Sequence, residues 1–246
     1  MFTYREKTFI CGKYMYKEIY PVDRSEVKKK RSEKTKETTR KMKNLNDKNR
    51  IKKTTMLANT NFTEKDLFVT LSYTDLTLPT TLEEAKKRIS NFIKRLRRRF
   101  KKEGLPALKY ISVTEKSKKG RVHHHLFISG GLPRDVIEEL WIKTEKGYCN
   151  TRRLQADEFG FERLVRYMLK GAVGFKKVSP SRNLKQPKPR INDFKYSKRK
   201  AWQLAHSQGG IEIEEEIKDY KVTEFKSTVN DLLGVIYISV KMKRRE

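Results

Sequence analysis

The stretch that most restricts how this chain can fold is Gly-Arg-Val-His-His-His-Leu-Phe-Ile, residues 120–128, which holds three of the four histidines. Its apolar run ends at Ser129-Gly130-Gly131, so the segment reads as a buried strand. Side chains on a strand alternate between its faces. His123 and His125 therefore share one face, while His124 lies on the other with Val122, Leu126 and Ile128. A buried imidazole needs a polar partner. Two of them two positions apart can satisfy that need together, by sharing one metal ion.

The neighbouring segments predict what this strand belongs to. Residues 67–73 (Leu-Phe-Val-Thr-Leu-Ser-Tyr) alternate in period two and are rich in β-branched and aromatic types, which predicts a strand. Leu82, Ala85, Ile89, Phe92, Ile93, Leu96 and Phe100 recur at three- and four-residue steps, the signature of an amphipathic helix stopped by Gly104 and Pro106. A second strand is expected over 107–115, a turn at 117–120, and the histidine strand over 121–128. A helix begins near Pro133, with Val136, Ile137, Leu140 and Trp141 on its apolar face. A fourth strand follows at 148–154. The order strand, helix, strand, strand, helix, strand implies an α+β fold with a central antiparallel sheet, ferredoxin-like or RRM-like, and helices on its faces.

The flanks are different in character. Residues 1–22 predict a hairpin around Gly12, and residues 24–59 are dense in Lys and Arg. That basic arm can be a solvated helix, a disordered segment or a phosphate-contacting helix. The expected organisation is a basic hairpin and arm over 1–60, a core over 61–175, and a basic extension over 176–246. Within the extension, 178–190 reads as an extended loop and 197–205 as a helix. The acidic patch 212–216 shields its own tail, and a late strand at 235–240 can join the sheet. A net charge of +29 points to a polyanionic partner, nucleic acid first of all. There is neither an apolar run of membrane-spanning length nor a signal-peptide pattern, so no membrane partner is expected. Cys11 and Cys149 stand far apart and form no CxxC pair, which suits thiols in a reducing compartment and a cytoplasmic location.

A helix over 157–170 places chemistry beside the histidines. Phe161, Leu164, Val165 and Met168 form its apolar stripe. Tyr167 falls off that stripe, towards the side shared by Arg163 and Arg166, with Lys170 a neighbour on the helix surface. Cations and a metal-bound phosphate would favour the phenolate of Tyr167. Glu115 is a third candidate metal ligand. Paired across the turn with Arg121, it would lie on the same face as His123 and His125. Imidazole plus carboxylate suits Mg²⁺ or Mn²⁺ holding a phosphate oxygen.

Gly-Arg-Val-His-His-His is similar to the His-hydrophobic-His signature of HUH endonucleases, the rolling-circle replication initiators of plasmids, phages and single-stranded DNA viruses. Phe-Val-Thr-Leu-Ser-Tyr at 68–73 resembles their first motif, and Tyr167-Met-Leu-Lys170 resembles their third. Glu115, eight residues before His123, matches the spacing of their acidic ligand. The chain departs from the pattern at His124, where the family carries a hydrophobic residue. Arg163 stands where two-tyrosine members place a second tyrosine, so the resemblance is to a single-tyrosine enzyme.

The resemblance implies a metal on Glu115, His123 and His125, attack by Tyr167 on single-stranded DNA at a replication origin, a 5′-phosphotyrosyl link, and charge stabilisation by Lys170. No Gly-x-x-x-x-Gly-Lys-Ser/Thr pattern occurs, so a host helicase is expected to act with the host polymerase. A relaxase or single-strand transposase would use the same chemistry. A non-catalytic RRM-like binder would carry stacking aromatics on its central strands, where this chain carries histidines.

Overall fold

A computed structural model describes residues 2–23, 39–117, 119–174 and 176–245. In chain order the elements are β1 (Phe2–Cys11), β2 (Tyr14–Asp23), α1 (Arg40–Asn61), β3 (Leu67–Ser72), α2 (Leu82–Lys102), β4 (Tyr110–Lys116), β5 (Val122–Ile128) and α3 (Arg134–Glu145). There follow β6 (Tyr148–Arg153), α4 (Glu162–Leu169), β7 (Ser179–Pro180), β8 (Pro189–Tyr196), α5 (Lys198–His206), α6 (Gly209–Glu216), β9 (Tyr220–Asn230) and β10 (Val235–Arg244). They form two compact units, Ile51–Lys185 and Met1–Arg50 with Gln186–Glu246. Among the described residues no helix is long and apolar enough to cross a membrane.

The first unit is built on an antiparallel sheet of order β6-β3-β5-β4-β7. Its first four strands are those expected from the sequence, with the histidine strand β5 central between β3 and β4. Leu67, Val69 and Leu71 of β3 join Val122, Leu126 and Ile128 of β5 in a core under α2 and α3. The α2 helix forms where Thr81 caps it, its hydroxyl accepting from the Glu84 N–H at 3.1 Å. Ala85, Ile89, Phe92, Ile93, Leu96 and Phe100 are its buried face. Each of the larger ones contributes about 1.5–3 kcal/mol by leaving water. Gly104, at φ 65°, ends the helix region in a left-handed conformation.

The other face of this sheet presents Phe68, Ile111, Val113 and Phe127 to a second core. Val165 and Met168 of α4 close that core, together with Leu57 and Ala58 of α1. The α4 helix is shorter than the apolar periodicity predicts, starting at Glu162 rather than 157. Asp157 and Gly160 instead pair backbone to backbone at 3.1 Å in both directions, and Gly160 has φ 72°. Asn59 Oδ1 then accepts the Phe161 N–H at 2.9 Å, a donor that an uninterrupted helix would have used internally.

The second unit carries a sheet of order β8-β1-β2-β10-β9. The expected hairpin around Gly12 is present as β1 and β2, with register Cys11↔Tyr14. The late strand does not join the histidine-bearing sheet: β10 pairs with β2, from Ile238↔Ile19 to Lys243↔Tyr14. The segment read as a loop over 178–190 also differs, since its end enters β8 and pairs with β1. Period-two patterning could not show this, because β8 is mostly exposed and its hold is polar. Arg5 Nε donates to Asp193 at 2.7 Å. Tyr4, Ile19, Ile238 and Val240 pack with Ala201 and Leu204 of α5 and Ile213 of α6. The acidic patch is part of α6 and is ion-paired within the unit: Glu212 with Lys200, Glu214 with Arg245, and Glu216 with Lys195. The basic arm is helical from Arg40 onward and its first turns are exposed. Residues 24–38 of that arm lie outside the described residues.

A candidate metal and tyrosine site

The site begins with register. β4 and β5 pair antiparallel with Glu115 directly opposite His123 and Val113 opposite His125. The sequence had placed Glu115 opposite Arg121, two residues away. A shift of two preserves the face, so the three side chains still converge. Arg121 instead reaches Asp75 and the Tyr73 carbonyl, to which its Nη2 donates at 2.9 Å.

His123 Nε2 and His125 Nε2 lie 3.2 and 3.0 Å from the same oxygen, Glu115 Oε2. One ligand atom from each of the three residues falls within 4.8 Å of the others, a group that could hold a metal ion. The donor set fits. His125 is fully buried, and burial lowers its pKa to about 4, with the His123 charge adding to the shift. It is therefore neutral at neutral pH, the form in which imidazole ligates. His125 Nδ1 lies 3.3 Å from Thr70 Oγ1, on the facing strand. With Nδ1–H donated to that hydroxyl, Nε2 turns a lone pair towards the Glu115 oxygen. A cation between them removes the repulsion, and the threonine fixes the tautomer as outer ligand partners do.

Glu115 is held by the chain beyond α4. The Lys116 N–H donates to the Gly171 carbonyl at 3.1 Å, and the Val173 N–H to the Thr114 carbonyl at 3.0 Å. Ala172 pairs with Glu115 itself. A Cβ at position 171 would stand 2.6 Å from Glu115 Oε1, so only glycine lets this backbone pass so close to the carboxylate.

The same connection brings α4 over the histidines. The Tyr167 ring centroid is 5.0 Å from that of His125 and 6.3 Å from that of Phe68. The residue is nevertheless 53% exposed. Its apolar ring edge rests on the site while solvent reaches the side chain, consistent with the polar flank expected for it. Tyr167 also lines a cavity of about 440 Å³ with Arg152, Arg153 and Arg163. Lys170 is exposed and caps the C-terminus of α4, its N–H donating to the Tyr167 carbonyl at 3.3 Å.

His124 faces the opposite core and makes no approach to the triad's carboxylate. Its Nε2 lies 2.8 Å from the Tyr73 hydroxyl and its Nδ1 3.0 Å from Thr114 Oγ1. Burial lowers its pKa to about 3.

Sequence reasoning missed four participants. Thr70 was legible in principle, being on the same strand face as Phe68. Arg152 sits opposite Phe68 in the β3–β6 pairing, its guanidinium carbon 4.9 Å from the ring centroid, a relation set by register alone. Gly171 follows directly on Tyr-Met-Leu-Lys. Tyr73 could have been sought as the partner that a buried His124 demands.

Residues 66–172, fewer than half of the chain's 246, match the family of the replication-associated protein ORF2, a rolling-circle replication family. No curated protein and no solved structure gives a significant match. The matched span starts just before β3 and ends at Ala172, and so encloses Glu115, the histidine strand, Tyr167 and Lys170.

Proposed function

For a chain whose residues 66–172 belong to the family of the replication-associated protein ORF2, we propose a rolling-circle initiator that nicks and rejoins single-stranded DNA at an origin. The observation that carries this reading is a solvent-exposed phenol, Tyr167, seated against His125 at a ring separation of 5.0 Å, beside three converging ligand atoms.

Arg152 and Arg163, which share a cavity with Tyr167, supply positive charge where a DNA phosphate would lie. Nearby cations favour the phenolate. Bound by His123, His125 and Glu115, Mg²⁺ or Mn²⁺ would polarise the scissile phosphate as a Lewis acid. Tyr167 Oη forms a bond to phosphorus as the bond to the 3′ oxygen breaks, in line. The phenol proton passes to solvent, and the leaving 3′ oxygen takes one up. The products are a 5′-phosphotyrosyl link and a 3′-OH. One phosphodiester has been exchanged for another, so a later 3′-OH can reverse the step without ATP. Lys170, three residues on at the helix end, would stabilise charge on the phenolate and phosphate. Strand separation and synthesis would fall to a host helicase and polymerase in the cytoplasm.

The test is incubation with a set of single-stranded oligonucleotides and Mn²⁺, followed by a search for a denaturant-resistant protein–DNA adduct. The wild-type chain should form one and a chelator should prevent it. His123→Ala/His125→Ala should form none while keeping its salt-sensitive DNA binding, which rests on many Lys and Arg contacts. Full cutting by that double variant in chelator would contradict the assignment.

A further inference from the structure

A trough runs along α2 on the face of the sheet opposite Glu115, His123 and His125. It lies between the helix and β4, the strand whose Tyr110, Ser112 and Thr114 side chains point to this side. A cavity of about 360 Å³ adjoins one of about 930 Å³, and both are lined by Arg97, Tyr110, Lys176 and Ser179. Lys86 and Lys94 line the first, and Lys101 and Arg182 the second. Neither is lined by an Asp or Glu.

The cations of α2 divide by where they stand. Arg88, Arg95 and Arg99, off the trough, are each paired with a glutamate: Glu84, Glu145 and Glu103. Among the described residues, Lys86, Lys94, Arg97 and Lys101 make no ion pair, nor do Lys176 and Arg182 across from them. Cations gathered along one groove without counter-charge repel one another, and a polyanion relieves that repulsion. The trough also offers a π surface. The Arg97 guanidinium lies over the half-buried Tyr110 ring at 5.5 Å, and Ile93, Phe100 and Leu108 supply apolar lining.

We propose that this trough is a second nucleic-acid site, which holds single-stranded DNA away from the nicking centre. Lys94, Arg97 and Lys176 contact phosphates, and a base stacks on Tyr110. Alternating phosphate contact and stacking is how single strands are held without sequence preference. A duplex keeps its bases stacked inside and would leave Tyr110 without a partner. The proposal shares only its class of ligand with the nicking reading.

The experiment is fluorescence anisotropy of the full-length chain with a labelled oligothymidylate of about 30 nucleotides, across salt from about 50 to 200 mM. Each phosphate contact to a single strand contributes about 0.7 to the slope of log affinity against log salt. Lys94→Ala/Arg97→Ala/Lys176→Ala should therefore lower the slope by about 2 and weaken binding at low salt. All three are on the surface, so the core is untouched. Tyr110→Ala should weaken binding by about tenfold while leaving the slope unchanged, since stacking releases no counterions. An iodouracil-substituted strand should cross-link to Tyr110. Unchanged affinity and slope in the triple variant would overturn the proposal. So would cross-links confined to other residues, or a duplex bound with the same dependence on the three cations. Binding is the readout throughout, so a chain that forms no adduct still tests this site.

Discussion

His124 Nε2 lies 2.8 Å from the Tyr73 hydroxyl, on the side of the sheet away from Glu115. Both residues are buried, His124 completely, and Trp141 packs against both rings. A hydrogen bond inside an apolar core matters chiefly through what its loss leaves behind, an unsatisfied polar group. His124→Leu restores a hydrophobic residue between the two ligand histidines yet strands the Tyr73 hydroxyl. It should cost about 1–3 kcal/mol in urea denaturation, as should Tyr73→Phe. The double variant removes both partners and should cost clearly less than the sum. Strict additivity would show that the contact carries no coupling.

Gly171 tests how closely the connection after α4 is fitted to the metal ligands. An alanine Cβ would stand 2.6 Å from Glu115 Oε1 and 2.7 Å from its Cγ, so the carboxylate would have to move. Gly171→Ala should therefore fold and melt like wild type while losing about 10- to 100-fold in Mn²⁺ affinity, the usual scale for disturbing the support of a ligand. Calorimetric titration with Mn²⁺ measures it. Wild-type affinity in the variant would mean that Glu115 is not a ligand.

Cys149, on β6, has its thiol pushed up to about 12, by burial first and Glu138 second. In the unfolded chain the thiol ionises at about 9. Between those values the unfolded state gives up a proton that the folded state keeps, so stability falls as pH rises through this window. Cys149→Ala should show a shallower alkaline loss in melts taken across that range. Iodoacetamide labelling of the native chain near pH 8 should be slow, because the thiolate is the reactive form. Rapid labelling, or identical alkaline profiles, would contradict it.

The site was more legible than the fold around it, for a physical reason. Strand parity alone sorts His123 and His125 from His124, and parity survived even where the register was misplaced by two residues. The first four strands of the central sheet followed because each has either a period-two face or a continuous apolar run. β8 had neither, since most of its residues are exposed and its attachment is an Arg5–Asp193 pair reaching across 188 positions. Nor does sequence order tell β10 that its partner is β2 rather than the histidine sheet, because both offer apolar strands. The α4 start was lost to a single side chain, Asn59, whose bond to the Phe161 N–H comes from another helix.

The central claim is that one oxygen atom, on Tyr167, makes the bond to DNA. Tyr167→Phe keeps the ring against His125 and removes only a hydroxyl from a residue that is 53% exposed, so stability should change by less than about 1 kcal/mol. The variant should bind Mn²⁺ and single-stranded DNA, leave the strand uncut and form no adduct. Lys170→Ala should slow the adduct without preventing it, because it assists charge rather than forming the bond. The most direct measurement is peptide mapping of the wild-type adduct by mass spectrometry. The account predicts the nucleotide on the peptide containing Tyr167. DNA found on Tyr148, Tyr196 or any other residue, or normal cutting by Tyr167→Phe, would contradict it.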